Sequence, residues 1–245
     1  MNKAVIAGYV RTPFHFANKG DMKKMRPDDM AALAVSELIK RTGVNPNDIE
    51  DLLLGCAFPE GEQGLNMARL VGLICELPLS VGGATINRFC GSSMQSVHSA
   101  AGAICLGAGD AFICAGVESM SRVPMGGYNP MPNPELYDKC EGAYMSMGET
   151  AENVAERFKI SRKAQDEFAV KSQKKAAAAR ESGKLKEEIV SCEIGGQLVD
   201  QDGCIRPETT VEGLSGLQPA FIETGSVTAG TASPLTDGAA ATLVC

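Results

Sequence analysis

The chain has 245 residues, 44% of them hydrophobic and 22% charged, with a formal net charge of −7. That length builds one large domain or two small ones, and that composition excludes wholesale disorder. The acidic balance, the absence of Trp and an aromatic fraction of 5% argue against nucleic acid, which is held by basic surfaces and stacking platforms.

The 27 glycines follow no Gly-x-y period, so collagen is excluded. No run approaches the roughly 18 apolar residues of a membrane helix, and no signal-peptide pattern opens the chain. A cytoplasmic protein without a membrane span is expected. The nine cysteines include no Cys-x-x-Cys pair, and His15 and His98 lie far apart. An odd count in a chain of this size speaks against a disulfide framework, and a structural zinc site has no support.

Strand and helix signals alternate over the first 120 residues. Ala4 to Ala7 is a short apolar run. Pro27 and Asp28 open a helix with Met30, Ala31, Ala34, Leu38 and Ile39 on one face. Lys40, Arg41 and Gly43 suit its end. Asp51 to Cys56 reads as a second strand, and Asn66 to Cys75 as a helix with Met67, Leu70, Val71 and Ile74 inward. Ala84 to Phe89 is a third, weaker strand, and Gly91 to Leu106 a helix rich in small residues. Ala111 to Ala115 is a fourth strand. The order predicts an α/β domain with a largely parallel sheet, and the small-residue helix is expected to be central and packed on several sides.

Composition changes after Ser121. Val123 to Asn133, with Pro124, Pro130, Pro132, Gly126 and Gly127, cannot be regular. Two polar helices follow. One runs from about Glu149 to Phe158, with Ala151, Val154, Ala155 and Phe158 on one face. The other starts after Ser161, a suitable N-cap, and reaches Ser182. Residues 187 to 225 read as short strands and turns, and Ala239 to Cys245 as a strand. Two readings of that ending stay open: the strand closes the sheet, or the chain is the front part of something longer or dependent on a partner.

Asn87-Arg88-Phe89-Cys90-Gly91-Ser92-Ser93-Met94 places a cysteine at a strand–helix junction. Small residues after it permit a sharp turn, as in the nucleophile elbows of hydrolases. The partial positive charge and unpaired N–H groups of a helix N-terminus favour a thiolate and an oxyanion. The alternative is a buried cysteine in a small-residue helix. A base is harder to find. His98, eight residues on, lies about 12 Å along the same helix, and His15 reads as a loop histidine. Ser92 and Ser93 read as packing residues. Lys171, Lys174, Lys175 and Arg180 form either a solvated helix face or a surface that steers an anionic ligand such as a nucleotide phosphate.

The segment Asn87 to Gln95 resembles the nucleophile segment of thiolases. Three further segments agree in order: Gly116-Val117-Glu118-Ser119-Met120-Ser121, Met147-Gly148-Glu149-Thr150-Ala151-Glu152, and Val227 to Ser233 followed by Asp237-Gly238-Ala239-Ala240. Ile205-Arg206-Pro207-Glu208-Thr209-Thr210 resembles the branch that acts on 3-ketoacyl-CoA. The match spans essentially the whole chain.

The resemblance implies a thiolase-like N-terminal half. It would have a five-stranded mixed, mostly parallel sheet with helices on both faces, formed by residues 1–120 and 226–245. A CoA-binding loop domain would be inserted over residues 121–225. Cys90 would carry the acyl group as a thioester, its N–H helping to form an oxyanion hole. Met147, Arg206, Ala232 and Ser233 match positions that line the coenzyme A site. Coenzyme A and acyl-CoA enter as substrates, with no permanent cofactor, and a homodimer or homotetramer is implied. Ser146 stands where many biosynthetic relatives have His. The family's Gly-His-Pro histidine, Cys-x-Gly cysteine and water-holding asparagine belong to a second half. This sequence stops where that half is expected to begin, so slow turnover by the chain alone is expected. The rival readings are a non-catalytic CoA-binding or assembly module and, with a differing nucleophile segment, a ketosynthase.

Overall fold

The computed structural model describes residues 3–245. Strands β1 (Ile6–Arg11), β2 (His15–Phe16), β3 (Asp51–Gly55), β4 (Gly82–Ile86), β5 (Phe112–Ser119), β6 (Cys192–Ile194), β7 (Gln197–Val199) and β8 (Thr236–Val244) belong, with helices α1 (Pro27–Thr42), α2 (Met67–Ile74) and α3 (Ser92–Leu106), to one unit. Among the described residues that unit comprises 3–129, Leu185–Cys204 and Leu235–Cys245. Its main sheet has the order β1-β8-β5-β3-β4. β5, β3 and β4 are mutually parallel, while β8 runs antiparallel to both β5 and β1. Four of the five strands on this path therefore share one direction. The two-residue β2 adds to the start of β8, a pairing too short to leave a periodic signal in the sequence.

Side chains alternate across this sheet, as the pleat requires. Leu52 and Leu54 of β3, Ile113, Ala115 and Val117 of β5, and Ala239, Ala241 and Leu243 of β8 join the core beneath α1 and α2. Leu53, Phe112, Cys114 and Val244 face the other way and meet Ala100 and Ile104 of α3. Helix α1 starts with Pro27 at its first turn and ends on Gly43 at φ 67, whose N–H returns to the Ile39 carbonyl. The β6–β7 hairpin turns on Gly195 and Gly196, at φ 60 and 79. Two successive positive φ values define a turn matched to strand twist, and glycine takes both without strain.

Three expected faces are corrected. α2 buries Met67, Ala68, Val71 and Gly72, whereas Leu70 and Ile74 are exposed. Met67 and Val71 face inward as expected, but the small Ala68 and Gly72 take the remaining buried places instead of Leu70 and Ile74. α3 is not packed on several sides in this chain. It buries Ser92, Ser96, Ala100 and Ile104, while Met94 is 60% and Leu106 87% exposed. The small residues of α3 allow close approach to the sheet along one stripe only. The expected strand at Ala4 to Ala7 begins instead at Ile6 and runs to Arg11.

The second unit comprises Pro130–Lys184 and Ile205–Pro234. It contains α4 (Pro134–Lys139), α5 (Met147–Arg157), α6 (Arg162–Glu181) and α7 (Val211–Ser215). A reciprocal capping box links Ser146 and Glu149 at the start of α5, and Ser161 caps α6 through the Ala164 N–H. The third correction falls on α5, which buries Gly148, Glu152 and Ala155 while Val154 and Phe158 are exposed. A carboxylate therefore occupies its inner face. α4 and α7 are too short to show a hydrophobic period.

Candidate active site

Cys90 is exposed. It stands beyond the carboxyl end of β4, the end at which parallel α/β sheets place their sites. The chain turns sharply there: Phe89 has φ 46, a left-handed conformation that costs a non-glycine residue of order 1–2 kcal/mol. Gly91 N–H donates to Arg88 O at 3.0 Å, and Ser92 N–H to Phe89 O at 3.0 Å. The Cys90 N–H takes part in neither turn. The Ser92 hydroxyl locks the elbow, accepting from Arg88 N–H at 2.8 Å and donating to Phe89 O at 2.5 Å. Ser92 is thus a structural brace, in line with its reading as a packing residue. Asn87 completes the turn: its Oδ1 accepts from Phe89 N–H at 2.9 Å, and its Nδ2 donates to Ala57 O at 2.9 Å.

Beneath the elbow, α3 sits close against β3 and β5. A Cβ at Gly116 would overlap the Ser93 hydroxyl and come within 2.9 Å of Ser93 Cβ, so a larger residue there must displace Ser93. Beyond Gly116, Glu118 Oε2 accepts from Ala57 N–H at 2.8 Å, and its Oε1 accepts from Gln63 Nε2 at 2.6 Å. Gln63, fully buried, also accepts Ser119 N–H at 2.7 Å. Burial first, and then the Glu118 charge, push the Cys56 thiol up to about 12. Cys56 is therefore a neutral thiol facing the carboxylate at 3.8 Å. Ser119 and Ser121 both donate to Asp237, which is fully buried at the start of β8. Two of the segments that carry the thiolase resemblance, 116–121 and 237–240, thus meet in one structural knot.

Neither histidine is placed at Cys90. His15 is buried. Its Nδ1 accepts Asp21 N–H at 3.2 Å, which leaves Nε2–H to donate to Gln201 O at 2.9 Å. His98 is exposed on α3.

Met147, Arg206, Ala232 and Ser233 all fall in the second unit. Met147, 70% exposed, lines a cavity of about 600 Å³ together with Val154, Ile160, Phe168, Val227 and Thr231. Ala232 follows that wall, its N–H bonded to Thr228 O at 2.9 Å, and Ser233 is exposed beside it. Arg206 is tied by its backbone N–H to Gln173 Oε1 of α6 at 2.8 Å. Lys171, Lys174 and Lys175 of that helix line a second depression with Val211. The loop carrying residues 226–231 is held by Glu152, whose carboxylate accepts Ser226 N–H at 2.9 Å, Ser226 Oγ–H at 3.0 Å and Val227 N–H at 2.7 Å. Burial alone would raise the Glu152 pKa, but these hydrogen bonds outweigh it and hold it low. Glu118 and Glu152 lie inside segments that carry the resemblance yet carry no sign in the sequence of what they hold. Gln63 has no sequence signal at all.

An exposed cysteine raised on a strained turn at a helix N-terminus, beyond parallel strands, defines an α/β protein with a sharp strand–helix elbow at Cys90. The chain belongs to the thiolase family: the family model described as "Thiolase, N-terminal domain" matches residues 4–245. It is 47% identical to the 3-ketoacyl-CoA thiolase of Bacillus subtilis, covering 100% of this chain and 66% of that protein. It is 45% identical to that of Pseudoalteromonas translucida, covering 100% and 64%. The crystal structure of human mitochondrial 3-ketoacyl-CoA thiolase in complex with CoA superposes with a TM-score of 0.88 at 31% identity, covering 99% of this chain and 64% of that one. The chain thus spans slightly less than two thirds of the length of these relatives.

Proposed function

We propose that this chain carries the acyl-accepting chemistry of a 3-ketoacyl-CoA thiolase, with Cys90 as its nucleophile. The observation that carries the reading is the exposed Cys90 on the Phe89 turn at the head of α3. The Cys90 thiolate adds to the 3-keto carbon of a 3-ketoacyl-CoA. The bond between carbons 2 and 3 then breaks and its electron pair stays on carbon 2, which is protonated to release acetyl-CoA. The acyl group left on Cys90 Sγ passes to the thiol of a second CoA, which gives up its proton. The reverse sequence is a Claisen condensation. Backbone N–H groups at the elbow, that of Cys90 included, are suited to the developing oxyanion.

Within the second unit, the wall of Met147, Ala232 and Ser233 suits the apolar and amide stretch of CoA. Arg206 and the neighbouring lysines suit its phosphates. We read this unit as the inserted CoA-holding domain. No helix of the described residues is long and apolar enough to cross a membrane. A cytoplasmic location, a role in fatty acid metabolism and a homodimer or homotetramer complete the proposal and rest on family membership.

The described residues bring neither histidine to Cys90. Full thiolysis by this chain alone is therefore expected to be ~10²–10⁴-fold slower than with a placed base. The half-reaction is the activity to measure. Incubation with acetyl-CoA and isotopically labelled CoA is expected to exchange label into acetyl-CoA, and Cys90→Ala to abolish the exchange. CoA binding without exchange would favour a non-catalytic CoA-binding module instead.

A further inference from the structure

Glu118 is a half-buried carboxylate held by three donors: Ala57 N–H, Gln63 Nε2 and the Cys56 thiol. Among the described residues no cation is paired with it, so a charge is held in place by dipoles alone. Its reach does not stop at those donors. The peptide unit that Glu118 grips at Ala57 N–H is followed by the Ala57 carbonyl, which accepts from Asn87 Nδ2 at 2.9 Å. The other end of the same Asn87 amide accepts the N–H of Phe89, the strained residue directly before Cys90. A continuous run of fixed groups thus links the end of β5, through the loop after β3, to the elbow after β4. Each junction is a hydrogen bond of 2.9 Å or shorter.

We propose that Glu118 is a positioning residue for the nucleophile, acting through Ala57 and Asn87 to hold Phe89 in its left-handed conformation and Cys90 at the head of α3. This rests on the reading of Cys90 as the nucleophile. The strain at Phe89 gives the device a purpose. A left-handed phenylalanine persists only where its surroundings over-determine it. Asn87 is exposed at the surface, so its amide needs an anchored partner to fix it. The Glu118 carboxylate supplies the anchor by holding the N–H of Ala57, the residue whose carbonyl Asn87 grips. With the clamp released, Phe89 relaxes and the cysteine leaves the positive end of the helix.

The test uses the 245-residue protein and the rates at which its own thiols react with iodoacetamide, resolved by peptide mapping. Glu118→Gln keeps the shape but turns one acceptor oxygen into an amide donor, set against either Ala57 N–H or Gln63 Nε2, which keeps the Phe58 carbonyl as an acceptor. We expect Cys90 to react about tenfold more slowly, the scale of a sub-ångström misplacement. Exposed Cys140 should be unchanged, and buried Cys56 and Cys114 still protected. Asn87→Ala cuts the run at a surface position and is expected to slow Cys90 similarly. The double variant should be no slower than the slower single one, because both act through one path. The proposal is overturned if Cys90 keeps its wild-type rate in either variant, or if all thiols change together, which marks a general loss of structure. It is also overturned if the two effects add. Label exchange from acetyl-CoA reports separately: its absence in the wild type sinks the thiolase reading while the alkylation pattern still decides the role of Glu118.

Discussion

Gly55 at the end of β3 lies directly against the first turn of α3: a Cβ at this position would come within 2.5 Å of the Ser92 carbonyl carbon and 2.8 Å of Ser93 Cα. Both neighbours are backbone, which cannot swing aside. Gly55→Ala must therefore lift α3 from the sheet, and with it the elbow that carries Cys90. A destabilisation of about 1–3 kcal/mol is expected, as for other overpacked sites. Urea unfolding checks it. An unchanged midpoint would mean that α3 has slack in this contact.

The Phe89 conformation can be tested through its neighbours in chemistry. Glycine accepts φ 46 freely, whereas a β-branched residue does not. Phe89→Val is expected to be less stable than Phe89→Gly by about 1–2 kcal/mol. Phe89 is 65% exposed, with its ring centroid 6.1 Å from that of Phe58, and the loss of the ring is common to both variants. Equal stabilities would show that the turn is not strained.

Glu152 ties the 226–231 loop to α5, and its pKa lies below the ordinary glutamate range because the Ser226 and Val227 donors outweigh burial. A depressed folded pKa contributes stability that is complete above the unfolded value, about 4.3, and is lost as pH falls through the folded value. The loop should therefore loosen only below about pH 4. Glu152→Gln should unfold more easily than the wild type at pH 7, with the gap closing as the pH falls through that range. Denaturant unfolding at pH 7 and pH 3 measures it; a gap independent of pH would exclude the carboxylate charge as the cause. In the proposed function the same variant raises the KM for CoA more than it lowers kcat.

The cysteines divide by environment. Burial raises Cys114, and burial with the Glu118 charge raises Cys56, each to about 12. Both should resist iodoacetamide at pH 8 until the protein is unfolded, while exposed Cys90 and Cys140 react in the folded state. Rapid native-state labelling of Cys56 or Cys114 would show that the sheet opens readily around β3 and β5.

Much of the fold was legible because its signals are local. Pro27, Gly43, Asn66 and Ser161 mark helix ends through caps or fixed dihedrals, and the elbow at Cys90 shows in its small residues. Which face of a helix turns inward was less legible. In α2 and α5 the sheet or loop opposite admits Gly72, Gly148 or a hydrogen-bonded Glu152 rather than the larger apolar residues, and that choice depends on partners distant in sequence. The same holds for the site. Cys90 announces itself, but the Glu118–Ala57–Asn87 run joins residues up to 61 positions apart. Such links exist only once β3, β4 and β5 lie side by side.

The central claim is that Cys90 accepts an acyl group from a CoA thioester. Its most direct test is the intact mass of the 245-residue protein after mixing with acetyl-CoA, beside Cys90→Ala. We expect one acetyl adduct, lost on treatment with CoA and absent in the variant. No adduct in the wild type, or the same adduct in Cys90→Ala, would contradict the account.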